Sequence, residues 1–463
     1  WKQVGPNSMD PPLSHLPAAL TESMQVHRGI APVSTGIESI GGSMKVESKK
    51  GKFAEDDEIE WDGVFSSGYS TVDDGRFGGL FSSVANKNHK LYASGSREQG
   101  NSYSYENDKA VRSTQYDRDA YTVGYGYQRD GHEMNIGYSN NDTGHTGTPT
   151  LPMDIMYVRG GINTFDYKGD FDGFSIDTNL YHQNMRHKMS NDTLRPVPMM
   201  GMMEMHRQAF AEVDGLGGKL AVTFPALTGD FTLGLQGDTS NHDAFIVDPT
   251  NPVFFVDAFN GVERDRYSIF GEWVGDVFEN TTLEMGARYS YIVSDSGKVF
   301  GRNPGFVMMG LDDEAMRLNS AFNGSEHRVK DENIDLAAVI RHSFTDNLEV
   351  EFGLARKTRS PSYQELYIWV PLETTGGLAD GRNYIGNLKL NHEVSYQAEL
   401  GVEWHTADFY LAPRFFYHHV EDYIQGIPST NGDANMMSMM TSGMGALQFA
   451  NIDAQLYGFD VEG

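Results

Sequence analysis

The sequence predicts an all-β protein, a transmembrane antiparallel β-barrel, and three observations lead to that prediction. Apolar and polar residues alternate over segments of about ten residues from about residue 60 onward, the connections between segments are either short or long, and aromatic residues cluster where segments end. Such segments, joined by short turns on one side and long loops on the other, are typical of outer-membrane barrels. Aromatic residues at segment ends fit the girdles that such barrels place at the two membrane interfaces.

The alternation has the period of a β-strand. In LEVEFGLARK (348–357) the residues Leu348, Val350, Phe352 and Leu354 fall on one face, and TLEMGARYSYI and FTLGLQGD repeat the pattern. KGDFDG and TAD are examples of the short turns, while RYSYIV, YIWVP and RFFYHH carry the aromatic clusters. The acidic run DDE (312–314) is predicted to be a solvated turn. A soluble β-sandwich or propeller also has alternating strands and is the alternative fold.

The amino-acid composition argues against several classes of function. The 463 residues carry a formal net charge of −28, which disfavours nucleic acid as a partner because its phosphates would be repelled, and which would concentrate cations instead. Cysteine is absent from the sequence, so disulfides and thiolate metal sites are excluded. No apolar run approaches the roughly 20 residues of a transmembrane helix. No catalytic arrangement of residues stands out, and we predict that the protein is not an enzyme.

The stretch NMRHKMS (184–190) contains the strongest candidate site. Met185, His187 and Met189 are spaced two residues apart, so an extended chain places two thioethers and one imidazole on the same side. The preceding apolar residues occupy even positions, which are expected to face lipid. The odd positions, including these three ligands, are therefore predicted to face the interior of the barrel, near its outer mouth.

Two methionine-rich stretches follow, and both are predicted to be loops. They hold nine of the 22 methionines in polar, glycine-containing surroundings, where core packing does not explain them. The candidate metal-capture residues are Met199, Met200, Met202, Met203, Met205, His206, Met436, Met437, Met439 and Met440.

Thioether and imidazole groups together select copper. Thioethers are soft ligands that prefer Cu(I), imidazole accepts copper in either oxidation state, and Mg²⁺ or Ca²⁺ would require carboxylates. A single thioether binds weakly, so several must converge on one ion. The sequence therefore predicts a copper site, with Cu(I) favoured.

Three further stretches resemble TonB-dependent outer-membrane receptors. RGIAPVSTGIESIGGSMKVES (28–48) is similar to the end of their plug domain, RSPSYQELY (359–367) to their Pro-Ser-x-x-Glu-Leu segment, and GNLKLNHEVSYQAELG (386–401) to the Gly-Asn-x-x-Leu-x-x-Glu-x-Ser segment that follows. The resemblance implies a C-terminal part of a plug at residues 1–52 and a barrel at residues 53–463. The family barrel has 22 strands, whereas this chain has room for about 16 to 18, so we expect the barrel to be incomplete at its C-terminus.

Within that family, the chain most resembles copper receptors of the OprC/NosA type. Their plug carries a Cys-Pro-Asn-Ser-Met loop that faces a His-x-Met pair on the barrel wall, and here GPNSM (5–9) matches except that Gly5 replaces the cysteine. The resemblance implies that Met9 joins His187 and Met189, with Met185 beside them, around a transported copper ion. It also implies a cell outer membrane location in a Gram-negative bacterium, contact with outer-membrane lipid, and a TonB-type energy-transducing partner in the inner membrane.

Two other functions remain open at this point. The cargo could be a siderophore, haem or another metal chelate, which competition between free copper and chelate would distinguish. Alternatively, the protein could act as a surface docking receptor for phage or bacteriocin, with its loops as the interface.

Overall fold

The computed structural model describes residues 16–106, 109–200, 202–303, 310–372 and 380–463. Most of these residues lie in antiparallel strands of one large barrel, which confirms the predicted fold class. The strands are β1 (Thr21–Arg28), β2 (Gly42–Ser48), β3 (Glu60–Ser70), β4 (Gly75–Ala85), β5 (His89–Gly100), β6 (Ser104–Tyr105), β7 (Lys109–Ala110), β8 (Tyr116–Arg129), β9 (His132–Thr143), β10 (Asp154–Phe171), β11 (Phe174–Ser190), β12 (Met199–Met200), β13 (Met203–Glu204), β14 (Gln208–Ala226), β15 (Gly229–Asp248), β16 (Asn251–Phe278), β17 (Thr281–Asp295), β18 (Gly301–Arg302), β19 (Val329–Thr345), β20 (Leu348–Arg359), β21 (Tyr384–Ile385), β22 (Glu393–His405), β23 (Tyr410–Pro428) and β24 (Leu447–Glu462). The α-helices are α1 (Asp312–Asn323), α2 (Tyr363–Tyr367) and α3 (Gly432–Ser442).

Sixteen long strands and the two-residue strands β18 and β21 form the barrel sheet, whose strand order is that of a closed barrel. This number lies within the predicted range. From β3 to β24, each long strand pairs antiparallel with the next long strand along the chain. The first and last long strands, β3 and the C-terminal half of β24, are largely exposed on both faces.

The two ends of the barrel differ in the length of their connections. At one end the long strands are joined by two to four residues, at 86–88, 130–131, 172–173, 227–228, 279–280, 346–347 and 406–409. The connections at the opposite end include 191–207, 296–328, 360–392 and 429–446, and all three α-helices lie in them. The predicted alternation of short turns and long loops is therefore present, except at 71–74 and 249–250, where connections at the long-loop end are also short.

The helices were not predicted. The acidic run at 312–314 begins α1 rather than a solvated turn, and its carboxylates lie in the first helical turn, where the helix dipole favours negative charge. Arg317 of α1 is 2.7 Å from Asp433 of α3, and this ion pair ties the two helices together. Leu318, Phe322 and Met437 are buried beneath them in the main apolar core. No helix among the described residues is long and apolar enough to cross a membrane.

Residues 21–48 form a separate hairpin, β1 with β2, whose connecting segment lies against the inner wall of the barrel. The segment begins at Gly29, where φ is +76°, a backbone conformation that side chains other than glycine rarely adopt. A Cβ atom at Gly29 would also lie 2.1 Å from the carboxylate oxygens of Glu399 on the wall. Glycine at this position therefore permits both the turn and the close approach to the barrel.

Cationic side chains of the barrel wall hold the connecting segment through its backbone. Each donates a hydrogen bond to a carbonyl oxygen, which satisfies a polar group that is shielded from water. Gly286 makes room on the wall, because a Cβ there would lie 2.4 Å from Val33. The hydrogen bonds are Lys357 Nζ to Ala31 O (2.7 Å), Arg288 Nε to Val33 O (2.8 Å) and Lys219 Nζ to Ser34 O (2.9 Å).

Glu38 is the only acidic side chain of the segment 29–41, and it lies between two arginines of β16. Its carboxylate oxygens are 2.9 Å from Arg264 and 2.9 Å from Arg266, and one of them also accepts a hydrogen bond from the backbone N–H of Ser360. Arg266 additionally binds Asp238 at 3.0 Å. The side chains of Glu38 and Arg264 are only 12% and 11% exposed, so this ion pair is shielded from solvent.

Replacing Glu38 with alanine should loosen the hairpin from the barrel. Removing one partner of a buried ion pair leaves an uncompensated charge and costs about 3–5 kcal/mol. We expect trypsin to cleave more rapidly after the lysines of residues 45–52, and mass spectrometry of timed digests measures that rate. Asp130→Ala is the matched control, because its pair with Arg129 is largely exposed and should contribute little. Equal cleavage rates in the two variants would contradict the proposed anchoring.

Candidate metal centre

Strand β11 presents its odd-numbered residues to the barrel interior. Asp177 and Asn179 line a cavity together with Lys50 and its neighbours from the hairpin, and Lys50 contacts Asp166 on the adjacent strand at 2.5 Å. Leu180, at an even position, is 49% exposed on the outer wall. The predicted orientation of the strand is therefore what the structure shows.

The three predicted ligands of this strand lie side by side on its buried face. Met185 is 0%, His187 4% and Met189 4% exposed. They occupy the half of β11 that leads into the long connection 191–207. The strand thus brings two thioethers and an imidazole together at one end of the interior, as the two-residue spacing predicted.

Small and aliphatic side chains surround the triplet. On β10, Gly160 pairs with Met185 and Val158 with His187. A Cβ atom at Gly160 would lie 2.2 Å from the carbonyl oxygen of Asn184 and 2.7 Å from Met185 Cα, so only glycine fits there. On β14 the cross-strand partners of the triplet are Val213, Ala211 and Ala209.

His242 is a second buried imidazole on the same face, and the sequence analysis missed it. Its strand, β15, is the second neighbour of β11, and the pairs Met185 with Val213 and Val213 with His242 form one row across three strands. Two strand spacings correspond to about 9.5 Å between backbones. The ring stacks on Tyr363 with a centroid separation of 4.5 Å, and Nε2 is 3.1 Å from Ser240 Oγ. Only the strand register brings it towards the triplet, so no local sequence signal would have revealed it.

The long connection after β11 is fixed at its base by an ion pair. Asp154, which is 0% exposed and begins β10, accepts a hydrogen bond of 2.8 Å from Arg195 Nε. Arg195 also donates to the carbonyl oxygens of Leu151 and Thr148, at 2.7 and 3.0 Å. Arg195 therefore clamps this connection onto the one between β9 and β10, beside the outer end of the triplet.

His206 closes the same connection. Its Nδ1 is 2.6 Å from Asp192 and its Nε2 is 3.0 Å from Glu204, so each ring nitrogen faces a carboxylate. The hydrogen bonds to Asp192 and then to Glu204 raise the pKa of His206 above its usual value. A metal ion would have to displace one of these contacts to use the ring.

Two of the candidate capture methionines in the first group are accessible. Met199 is 57% and Met202 is 97% exposed, whereas Met205 is half-buried and its backbone N–H donates to Pro198 O at 2.9 Å. The backbones of Met200 and Met203 pair with each other between the short strands β12 and β13.

The second group lies on a helix and not in an irregular loop. Helix α3 begins after Asn431, whose side chain accepts hydrogen bonds from the backbone N–H groups of Asp433 and Ala434, and it ends at Gly443 in the left-handed conformation. The helix divides the methionines: Met437 is 0% exposed in the main apolar core, so the structure places it as a packing residue. Those that remain about half exposed are Met436, Met439 and Met440.

Met9 and Gly5 lie outside the described residues, so the plug side of the predicted site has no structural account here. Among the described residues, no group of three or more histidine, aspartate or glutamate side chains is arranged to hold a metal ion.

Gly160→Ala should disturb the triplet without unfolding the barrel. The added methyl group meets backbone atoms of β11 that cannot rotate away, and overpacking of this kind costs about 1–3 kcal/mol. We expect Met185 to become more accessible, so peroxide should oxidise it faster, as measured by mass spectrometry. Gly78→Ala is the control, because a Cβ there meets nothing within 4 Å. Unchanged oxidation of Met185 in Gly160→Ala would contradict the tight packing of the two strands.

The contacts of His206 predict that the order of the connection 191–207 depends on pH. A raised pKa means that the imidazolium stabilises the ordered loop fully below the ordinary histidine pKa and that this contribution is lost as the pH rises through the raised value. Cleavage within residues 191–207 by a protease of broad pH range should therefore accelerate as the pH rises above about 6.5. The acceleration should disappear in His206→Gln. If parent and variant show the same pH profile, His206 does not hold the loop in place, and its order depends on Arg195 instead.

Comparison with known proteins shows which solved structures share this fold. Among solved structures, the chain is similar to the copper transporter OprC, with a TM-score of 0.79 at 17% identity over 99% of this chain and 68% of OprC. It is also similar to the FrpB iron transporter from Neisseria meningitidis, with a TM-score of 0.66 at 12% identity over 96% of this chain and 65% of FrpB. A double mutant of the Serratia marcescens hemophore receptor HasR, in complex with its hemophore HasA and heme, has a TM-score of 0.69 at 12% identity over 96% and 66%. At these identities the likeness shows the fold.

The chain spans about two thirds of the length of these structures. The search of curated proteins found no match. The family model described as TonB dependent receptor-like, beta-barrel, matches residues 59–463, which is most of the chain. The chain therefore belongs to the TonB-dependent receptor β-barrel family.

Proposed function

We propose that this protein is an outer-membrane receptor that binds and imports copper, with Met185, His187 and Met189 as the ligands of the barrel wall. The observation that carries the proposal is the burial of all three side chains in one row of the interior face of β11. Family membership supports a receptor or transporter rather than an enzyme. The copper transporter OprC among the structural neighbours agrees with this cargo, although other neighbours are named for iron, heme or siderophores.

The surroundings of the triplet favour a soft, low-charge ion. Its cross-strand partners are glycine, alanine, valine and isoleucine, so no carboxylate pairs directly with the three ligands. Hard cations such as Mg²⁺ and Ca²⁺ require oxygen ligands, whereas Cu(I) is stable with thioether and imidazole ligands in an apolar environment. Two sulfurs and one nitrogen leave room for a further ligand, and we propose Met9 of the plug for that role.

The exposed methionines would capture copper ions before the ions reach the triplet. Met199 and Met202 on one connection, and Met436, Met439 and Met440 on α3, present thioethers to the solvent at the end of the barrel where β11 leads into its long connection. A single exposed methionine would bind copper weakly and would therefore release the ion readily to the buried triplet. His206 would contribute only after leaving its two carboxylate partners.

Release of the copper ion from the triplet would depend on the plug. We propose residues 1–52 as the C-terminal part of a plug and residues 53–463 as the barrel, with a TonB-type protein of the inner membrane supplying the energy. The segment 29–41 is held by backbone hydrogen bonds and by one buried ion pair, which can break and reform without chemical change. Their rearrangement would shift the plug and, with it, the proposed ligand Met9.

The decisive experiment is the copper content of the purified protein. Detergent-solubilised chain is incubated with Cu(I) under reducing conditions, a competing chelator removes loosely held ions, and elemental analysis gives copper per chain. We expect about one copper in the parent and none in the triple variant Met185→Ala, His187→Ala, Met189→Ala. The matched control removes the same groups elsewhere, as Met134→Ala, Met285→Ala and His132→Ala, and should bind like the parent.

Two outcomes would contradict the proposal. Equal copper in the parent and the triple variant would place any site elsewhere. Retention of a ferric siderophore or heme by the parent, unaffected by excess copper, would favour a chelate as the cargo. If the parent itself holds little copper, Gly5→Cys tests the missing thiolate, and no gain in that variant would also reject the proposed site.

A further inference from the structure

The outer wall of the barrel carries an apolar groove of about 800 Å³ that crosses strands β15 to β23. Exposed side chains alternate with buried ones on these strands: Leu354 is 52% exposed, whereas Lys357 on the same strand is 0% exposed and faces the hairpin. On the next long strand, β22, Gln397 is 3% exposed and also faces the hairpin. The groove therefore opens towards the membrane and not towards the interior. We call it the Arg356 groove.

Small residues make the groove deep enough for a hydrocarbon chain. The cross-strand row that begins at Trp273 passes through Met285, Ala338, Leu354 and Ala398. From Met285 onward, large and small side chains alternate along this row, which leaves a channel between the larger ones. The aromatic rings that border the groove are Phe231, Trp273, Tyr396 and Tyr417.

Arg356 is a charged side chain on this lipid-facing wall. It belongs to the neighbouring row, in which Leu336 pairs with Arg356, Arg356 with Tyr396, and Tyr396 with His419. A guanidinium has five N–H donors, and the described residues accept one hydrogen bond from it, through the carbonyl oxygen of Ile334. Arginine on the lipid face is destabilising at the middle of the bilayer and much less so at its surface, and an anionic partner would offset that penalty.

The depth of Arg356 suits a lipid headgroup. It lies eight residues from Leu348, the first residue of β20 after a two-residue turn. At about 3.3 Å per residue and a tilt of roughly 40°, this separation places Arg356 about 20 Å above that turn, near the upper edge of a 25 Å apolar band. His419 in the same row adds a second donor at this level.

We propose that the Arg356 groove binds a membrane lipid whose headgroup carries a phosphomonoester. The phosphate would accept hydrogen bonds from Arg356 and His419, and one acyl chain would occupy the channel between Trp273 and Ala398. Planar guanidinium groups match phosphate oxygens in pairs, which gives the site its preference for this headgroup. The inference is independent of the copper site.

A second groove on the outer wall provides an internal comparison. It has a volume of about 600 Å³, and Leu180, Leu220, Leu235 and Ile269 are among its lining side chains. Its single cationic lining residue, Lys219, points its ammonium at Ser34 O in the interior. This groove should accept acyl chains without selecting a headgroup.

Native mass spectrometry of the delipidated protein, titrated with lipid in detergent, tests the proposal. Phosphatidic acid should bind at least tenfold more tightly than phosphatidylcholine with the same acyl chains. Arg356→Gln should remove that preference, Arg356→Lys should keep part of it, and Ala398→Phe should weaken binding of both lipids by filling the channel. Leu235→Phe, in the second groove, should leave the preference unchanged.

Each variant is first shown to be folded by its heat-dependent mobility on a gel. The proposal is overturned if Arg356→Gln binds phosphatidic acid as tightly as the parent. It is also overturned if inorganic phosphate at millimolar concentration displaces the lipid completely, because the site would then recognise a soluble anion rather than a membrane lipid.

Discussion

The structure depends on hydrogen-bond acceptors for the cations that the barrel wall buries in its own interior. Lys357 and Arg288 are 0% and 1% exposed, and taking such ions out of water costs several kcal/mol each unless partners compensate them. The segment 29–41 supplies one backbone carbonyl oxygen to each of these two cations, and its one carboxylate, Glu38, pairs with Arg264. The hairpin and the wall therefore share hydrogen bonds and an ion pair that neither forms alone, which explains why the segment lies in contact with the wall.

That dependence limits how far the hairpin can move in one step. Backbone carbonyl oxygens are attached to a continuous chain, so releasing Ala31, Val33 and Ser34 separately is geometrically difficult, and the wall cations would lose their partners together. Water can replace carbonyl oxygens as an acceptor once the segment leaves, whereas it replaces the Glu38 carboxylate less well because the ion pair is charged on both sides. Glu38 is thus the contact that most strongly resists displacement.

The sequence predicted those features that repeat over short distances. Strand alternation placed Met185, His187 and Met189 on one interior face, and the structure agrees because the period of two is imposed by the backbone itself. It did not predict α3, since the polar, glycine-containing run around Met436 also suits a loop, and the Asn431 cap and the burial of Met437 follow from tertiary contacts. The contacts between the hairpin and the wall and the approach of His242 could not be predicted for the same reason, because they join residues far apart in the chain.

The acidic chain as a whole and the uncharged surroundings of Met185 differ in how they would affect a cation. The chain has a net charge of −28, yet the row around Met185 contains neutral side chains, and Asp154 beside it is already paired with Arg195. An acidic exterior raises the local concentration of all cations without distinguishing among them, since screened attraction depends on charge and not on softness. Discrimination must then arise where carboxylates are absent or already paired and thioethers are present. The interior face of β11 meets both conditions, so for the copper transport that we propose it would add to the discrimination that the exposed thioethers begin.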